Sequence, residues 1–527
     1  MCMKKKSKRR KVKSKGFFYN VGAFFEENQR VIYALTVMLV VGILLRMLFF
    51  VGLNISDSPA YLAIILQLKE KLDGRLMKGL FGSRVLMILP PVFFVKIFGL
   101  SEMSLVSHSM ICSLLLMPLV YMISRCFYDR ETSLLAAFLT GIVPFNILWA
   151  SWLMPDVLLE FYLSLAALSL FYGFKDRKRM SILFFLSGFT TGLAFLVKLT
   201  ALLFLLVVVS ICIYRFLRER RIDFRVGYFI PGFVIVILLQ LMTFYLAGGN
   251  PFENLEGIRG FYEDYVFLSN LLIYPTILFG INGETLEFEL EHFTGAFMFT
   301  DAPLYGLFGF FTVVSVLYLL FRKDESVTEV LIWLLVLALY LNFGTQSITG
   351  WKLIHKDARF LSILIPPSMI LVSRFILDLY RRNLLGKIIS SVFLLFIVAS
   401  SLYISHKIWL SDSSTMFGFR SAYEFIKHKK GFYYIDPTTN NYLTTFNGGD
   451  LVIKFRRIEL LDCENTPNVY VFDDNWSRMK DRSRGNKCLQ NISKDWILEF
   501  DSYDHMPRDF VKRPRWRVRI WRTPGEK

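Results

Sequence analysis

The chain has 527 residues, 54% of them hydrophobic, with 52 Phe and a formal charge of +18. Apolar runs of about 17–25 residues recur along it, the length a helix needs to cross a bilayer, and no soluble domain of this size needs so many. The positive charge does not make it a nucleic-acid binder. Its densest block, Lys4-Lys5-Lys6 through Lys8-Arg9-Arg10-Lys11 with Lys13 and Lys15, stands ahead of the first apolar run and reads as a cytosolic anchor against anionic lipid.

Residues 1–30 therefore form a basic cytosolic N-terminus. Val31 to Leu53 is the first span, too long and too deep in the chain for a cleaved signal peptide. It leads outward into the polar loop Asn54-Ile55-Ser56-Asp57-Ser58-Pro59-Ala60-Tyr61. Arg84 to Leu100 is short and carries Pro90-Pro91, so it is expected to re-enter or lie on the surface rather than cross. Leu105 to Ser124 returns to Arg125 and Arg130, and Ser133 to Trp149 goes out to Ser151-Trp152-Leu153-Met154-Pro155-Asp156. Val157 to Phe174 comes back to the basic run Lys175 to Arg179, and Ile182 to Val197 places Lys198 at the outer boundary.

The alternation continues. Ala201 to Tyr214 ends at the basic segment Arg215 to Arg225, and Tyr228 to Leu246 opens into a long outer loop reaching about Asp301. Leu304 to Phe321, Glu329 to Phe343, Phe360 to Leu379 and Leu385 to Ile404 follow, with Arg322-Lys323 and Arg381-Arg382 inside. The expectation is a multi-pass α-helical domain over residues 31–404 with about eleven spans. The remainder, 405–527, reads as a small extracytoplasmic α/β domain. Gly431 to Asp436 and Val469 to Asp473 are apolar strands ending in acidic turns with a short helix between them, and Trp516 to Trp521 alternates like an edge strand.

Six Cys show no CxxC pair and no metal-ligand spacing. Cys112 and Cys212 lie in apolar runs as small core residues. Cys463 and Cys488 can pair if the tail is outside the cytosol.

The charge rule sends Asp57, Asp156, Lys198 and the segment His355-Lys356-Asp357-Ala358-Arg359 to one face. A carboxylate at a span end is a functional candidate, and moving a sugar onto a hydroxyl needs a base near the acceptor oxygen. Asp57 meets that need, although an Asp before Ser-Pro also starts turns. With phosphate as the leaving group no general acid is required, unlike glycoside hydrolysis. Lys198 interrupts an apolar stretch and is either a snorkelling residue or a point charge on a lipid phosphate. Arg84 and Arg359 offer planar forks to the same phosphate, or anchor at the interface. Asp156, His355, Lys356 and Tyr61 are candidate substrate contacts, with helix capping the equal reading for Asp156. Glu284, Glu287, Glu289, Glu291 and His292 in the long loop make only a weak metal site.

These residues resemble the protein O-mannosyltransferase-like and aminoarabinose-transferase-like glycosyltransferases, membrane enzymes of the GT-C fold. The likeness covers roughly Val31 to Ser373. It rests on Ser56-Asp57, on Ser83-Arg84-Val85 leading into Leu89-Pro90-Pro91, and on Trp152 to Leu159. Gly188 to Lys198 and Ala358-Arg359-Phe360-Leu361 through Pro366-Pro367 complete it. The first loop departs from many relatives in following Asp57 with Ser58 rather than a second acid. His355 to Phe360 is also similar to a motif of the GT-C mannosyltransferases that build lipid-linked oligosaccharides and glycolipid anchors.

The resemblance implies an outward-facing site using a polyprenyl- or dolichyl-phosphate sugar, mannose or glucose, with Asp57 as base and Lys198 on the phosphate. The acceptor is a glycan, protein or lipid. No Walker or dinucleotide motif is present, so no cofactor is expected, and metal dependence stays open. The membrane is a prokaryotic plasma membrane, archaeal by expectation, or the endoplasmic reticulum. A transporter or flippase is the rival class, but it predicts paired halves with related broken helices, which the sequence lacks. A receptor with an outer binding domain accounts for the tail and leaves Asp57, Asp156 and Lys198 without a role.

Overall fold

The computed structural model describes residues 17–54, 57–71, 73, 79–221, 223–246, 248, 308–322, 324–344, 358–429, 431–449, 454–462, 466–483, 488–510 and 517–525. Helix α1 (Phe17–Leu48) is followed by α2 (Ser58–Glu70), α3 (Val85–Phe98), α4 (Glu102–Arg125) and α5 (Arg130–Ile142). Then come α6 (Pro144–Leu148), α7 (Asp156–Lys175), α8 (Met180–Phe195), α9 (Leu203–Glu219) and α10 (Phe229–Leu246). Helices α11 (Phe308–Arg322), α12 (Thr328–Phe343), α13 (Ile365–Tyr380) and α14 (Leu384–Ile426) complete the membrane part.

Among the described residues, seven helices are long and apolar enough to cross a membrane, or eight if the bent pair Arg130–Ile142 and Pro144–Ser151 is one span. Val85–Phe98, Met180–Phe195, Phe308–Arg322 and Thr328–Phe343 are shorter apolar helices. At 1.5 Å per residue they rise about 21–24 Å, less than the ~30 Å hydrocarbon core. The expected non-crossing segment at Arg84–Leu100 is one of these. The protein is an integral membrane protein whose unpacked apolar side chains, such as Leu44, Val209, Leu238 and Leu395, point outward from the bundle.

The bundle has two chemically distinct ends. At one, residues at or beside the expected cytosolic ends of the spans pair with one another: Arg381 with Asp129 at 2.7 Å, Arg374 with Asp324 at 3.1 Å and Arg215 with Glu329 at 2.5 Å. Helices α4 and α7 each run from the opposite end, at Glu102 and Asp156, to this one, at Arg125 and Lys175. Between the ends, α8 and α10 cross closely through glycines. A Cβ on Gly188 would lie 1.9 Å from the Phe229 carbonyl oxygen, and one on Gly232 2.1 Å from that of Phe185; small residues are what let membrane helices approach this far.

Helix α14 has 43 residues and runs straight through the boundary expected near residue 404. Asn383 caps its start by accepting from the Gly386 amide at 2.8 Å. Polar residues past Ser405 stay helical because Asp412, Ser413, Ser414 and Thr415 are buried against other elements. The tail that follows is a five-stranded sheet of order β2-β1-β3-β5-β4, with β1 Phe432–Ile435, β2 Lys454–Arg457, β3 Tyr470–Asp473, β4 Ile497–Asp501 and β5 Arg519–Arg522. Strands β2, β1 and β3 are parallel, and β5 is antiparallel to both β3 and β4. Helix α15 (Pro437–Phe446) leads from β1 towards β2, capped by Asp436 on the Thr438 amide at 2.7 Å, and α16 (Asn475–Ser483) follows β3.

One expectation is overturned here. The strand within Trp516 to Trp521 is internal, not an edge. Its basic residues are neutralised by acids on its neighbours: Arg519 pairs with Asp473 at 2.5 Å and Arg522 with Glu499 at 3.0 Å. Tyr433, Ile435, Phe472, Phe500 and Ile520 belong to the same continuous apolar core as the membrane helices, while Tyr434, Val471 and Trp496 form a second cluster on the other face. Cys112 and Cys212 are free thiols, and Cys488 is held in a disulfide; Cys463, its expected partner, lies outside the described residues.

Candidate active site

Asp57 stands at the N-cap position of α2, followed by Pro within the first turn, yet its side chain makes no capping hydrogen bond. The carboxylate instead faces Arg359, whose Nη1 donates to Oδ2 at 2.8 Å. The Asp57 backbone does start the helix, its carbonyl accepting from the Ala60 amide at 3.1 Å and the Tyr61 amide at 3.4 Å, while its side chain is left to face the cation. Burial alone would raise its pKa, but Arg359, Arg84 and Lys198 outweigh that and hold the carboxyl below its ordinary value. The side chain keeps 27% of its surface open, against 14% for Arg359. It is ionised and reachable.

Three further loops close on this point. The Ser58 hydroxyl donates to the Leu153 carbonyl at 3.4 Å, and Met154 Sδ lies 4.0 Å from Arg359 Nη1. This brings the Trp152 to Met154 turn under the pair. The Leu86 amide donates to the Leu196 carbonyl at 3.3 Å, tying the start of α3 to the segment that ends in Lys198. Lys198 Nζ donates to Asp156 Oδ1 at 2.6 Å, with side-chain exposures of 6% and 1%. The same Nζ lies 4.2 Å from the centroid of the Phe360 ring, a cation–π contact. Asp156 sits in the first turn of α7, but its carboxylate is directed at Lys198 rather than at the helix end.

Arg84 donates to the hydroxyl of Tyr61, which is fully buried, and its guanidinium lies 5.6 Å from the Phe81 ring centroid. Tyr61 therefore orients Arg84 and is not open to a substrate in this arrangement. Asp57, Tyr61, Arg84, Asp156, Lys198 and Arg359 come together in one region; His355 and Lys356 lie outside the described residues, as do Glu284, Glu287, Glu289, Glu291 and His292. Among the described residues, no His, Cys, Asp and Glu cluster is arranged to hold a metal ion. Sequence reasoning missed the partners beneath the charges, Met154 and Phe360. Neither residue type carries a signal; only the convergence of the loops gives them a role.

One open carboxylate and three cations on rigid elements match what transfer from a phosphate leaving group asks for: a proton acceptor and a place for growing negative charge. Residues 91–244 match the family model described as dolichyl-phosphate-mannose-protein mannosyltransferase. No curated protein matches the chain by sequence. Among solved structures, ArnT from Cupriavidus metallidurans bound to undecaprenyl phosphate superposes with a TM-score of 0.55 at 12% identity, over 95% of this chain and 100% of that one. The Archaeoglobus fulgidus oligosaccharyltransferase tethered to an acceptor peptide gives 0.53 at 12% identity, over 90% and 73%. Archaeal AglB from the same organism, in complex with an inhibitory peptide and a dolichol-phosphate, gives 0.50 at 13%, over 87% and 71%. The fold is that of the GT-C membrane glycosyltransferases. The expected multi-pass helical GT-C fold with a small C-terminal sheet holds, while seven or eight helices among the described residues reach spanning length against the eleven expected.

Proposed function

We propose that this GT-C protein transfers a hexose, mannose or glucose, from a polyprenyl- or dolichyl-phosphate carrier to a glycan, protein or lipid acceptor, with inversion at the anomeric carbon. The observation that carries the reading is the ionised, partly exposed Asp57 carboxylate set among Arg359, Arg84 and Lys198. The acceptor hydroxyl gives its proton to Asp57 as its oxygen attacks the anomeric carbon. The bond from that carbon to the phosphate oxygen breaks, and the lipid phosphate leaves with the electron pair. Arg359, Arg84 and Lys198 stabilise the charge it takes. The donor arrives activated, so the reaction as written needs no nucleotide or redox cofactor.

The structures of ArnT and AglB named for undecaprenyl phosphate and dolichol-phosphate support the carrier class. The disulfide at Cys488 supports an extracytoplasmic tail, and the Tyr442 hydroxyl of that tail reaches the loop before Asp57. The site then opens on the outer or lumenal face. The test is incubation of purified protein with labelled polyprenyl-phosphate mannose or glucose and a membrane extract. Wild type is expected to move label into an acceptor and Asp57→Asn to lose that activity; equal transfer by both removes Asp57 from the base role.

A further inference from the structure

The segment Phe49–Asn54, between α1 and Asp57, is gripped by side chains from far along the chain. The Phe50 carbonyl accepts from Trp409 Nε1 at 3.2 Å, that of Val51 from Arg420 Nη2 at 2.6 Å, and that of Asn54 from the Tyr442 hydroxyl at 3.0 Å. The Val51 amide donates to Ser151 Oγ at 3.1 Å and the Leu53 amide to Glu102 Oε1 at 2.8 Å. Arg420 and Glu102 pair at 2.9 Å, so the two grips are one clamp. Gly52 sits inside it at φ 80°, and a Cβ there would lie 2.3 Å from Glu102 Oε1. Only glycine accepts both the backbone conformation and the approach.

A strap with no regular ladder of its own needs partners for its buried amides and carbonyls. Val51 and Leu53 are fully buried, as is Tyr442. The donors and acceptors that satisfy the strap could have come from neighbouring loops. Three of them come instead from α14 and α15, the elements that carry the tail domain. Asn54 stands three positions before Asp57, and the other end of the strap is fixed by α1.

We infer that Glu102, Arg420 and Tyr442 are positioning residues for Asp57, so that the docked C-terminal domain sets where the carboxylate stands relative to Arg359. The catalytic half of this rests on the transferase reading above. Misplacing a reacting group by about 1 Å costs on the order of 100-fold in rate, and the clamp holds the backbone as far as Asn54, three positions before that group.

The experiment compares Glu102→Ala and Tyr442→Phe with wild type in the full chain. Tyr442→Phe removes one hydroxyl and guards against a variant that simply fails to fold. Transfer of label from polyprenyl-phosphate mannose or glucose is expected to fall in kcat by about 10- to 100-fold, with the donor KM little changed. The groups facing Asp57 are Arg359, Arg84, Lys198 and Tyr61. As the carboxylate drifts from Arg359, the acid limb of the rate profile is expected to move to higher pH. An acid limb that stays where it is in wild type overturns the positioning role. Hydrogen exchange of the 49–54 peptide supplies an arm that needs no substrate: it is expected to quicken in Glu102→Ala, and unchanged exchange overturns the clamp itself. A wild type that moves no sugar, with exchange quickened as expected, sinks the transferase reading and the catalytic half while leaving the clamp standing.

Discussion

Asp57 and Arg359 are 302 positions apart in the chain and 2.8 Å apart in space. The guanidinium is what lets a carboxylate with most of its surface covered stay ionised. Transfer is therefore expected to hold as pH falls through the ordinary carboxylate range and to fail only below it, since the base acts deprotonated. In Arg359→Gln burial is no longer outweighed to the same degree, and the acid limb moves to higher pH. Initial rates between about pH 3 and pH 7 decide it. A limb that stays put shows that Arg359 does not set the protonation of Asp57.

Lys198 and Asp156 form a buried pair, and such pairs punish the loss of one member. Asp156→Asn leaves an ammonium buried opposite an amide, with an expected cost of about 3–5 kcal/mol. The double variant Asp156→Asn with Lys198→Met removes the stranded charge and is expected to regain most of that stability. Thermal unfolding in detergent measures both. Activity separates the two roles of the lysine: a double variant that is stable but transfers no sugar points to Lys198 on the donor phosphate, and one that is stable and active makes the pair structural.

Much of this arrangement was legible in the chain. Hydropathy and the spread of Lys and Arg placed Asp57, Asp156, Lys198 and Arg359 at one end of the bundle because a helix that crosses must deliver its two flanks to opposite ends. The pairing was not legible. Asp57 with Arg359 and Asp156 with Lys198 are contacts between loops, and nothing in the spacing of residues along separate helices says which cation meets which acid. The reach of α14 past residue 404 was hidden for a related reason: its last turns are polar in composition, and their burial against distant elements leaves no mark in the local pattern. The edge reading of Trp516 to Trp521 failed because an internal strand can carry Arg519 and Arg522 once neighbours supply Asp473 and Glu499.

In the tail domain, Asp474 is pushed up to about 7 by burial, with the nearby carboxylates of Asp436 and Asp473 adding to it; the Ser477 amide and Thr439 hydroxyl offset this only in part. A raised carboxyl favours the fold while protonated. Its contribution is complete below the unfolded value near 3.8 and is lost as pH rises through about 7. Exchange protection of the β3–α16 region in the intact protein is thus expected to weaken from pH 4 to pH 7, after correction for intrinsic exchange rates. Asp474→Asn is expected to flatten that trend. A wild-type trend of opposite sign would show that the carboxyl is ionised throughout.

Arg46 is the largest charged side chain wholly buried in the membrane part, and the apolar look of the first span gives no hint of its role. It donates to Ser113 Oγ at 2.6 and 3.0 Å, to the Gly42 carbonyl at 3.0 Å and to that of Gly141 at 3.4 Å. Ser113 passes the chain on to the Asn146 carbonyl at 2.9 Å, and the Asn146 amide donates to Glu160 Oε1 at 3.2 Å. Helices α1, α4, α5, α6 and α7 are thereby joined through one polar thread. Arg46→Met fills the volume but strands these acceptors, and breaking such a network is expected to cost about 3 kcal/mol. Arg46→Lys keeps the charge and loses the fork that spans Ser113 and the two carbonyls, so it should recover only part of the loss. Unfolding temperatures in the order wild type, Arg46→Lys, Arg46→Met are the expected result. An Arg46→Met protein as stable as wild type would mean that the thread is decoration and that apolar packing alone sets the angle of α1 against the bundle.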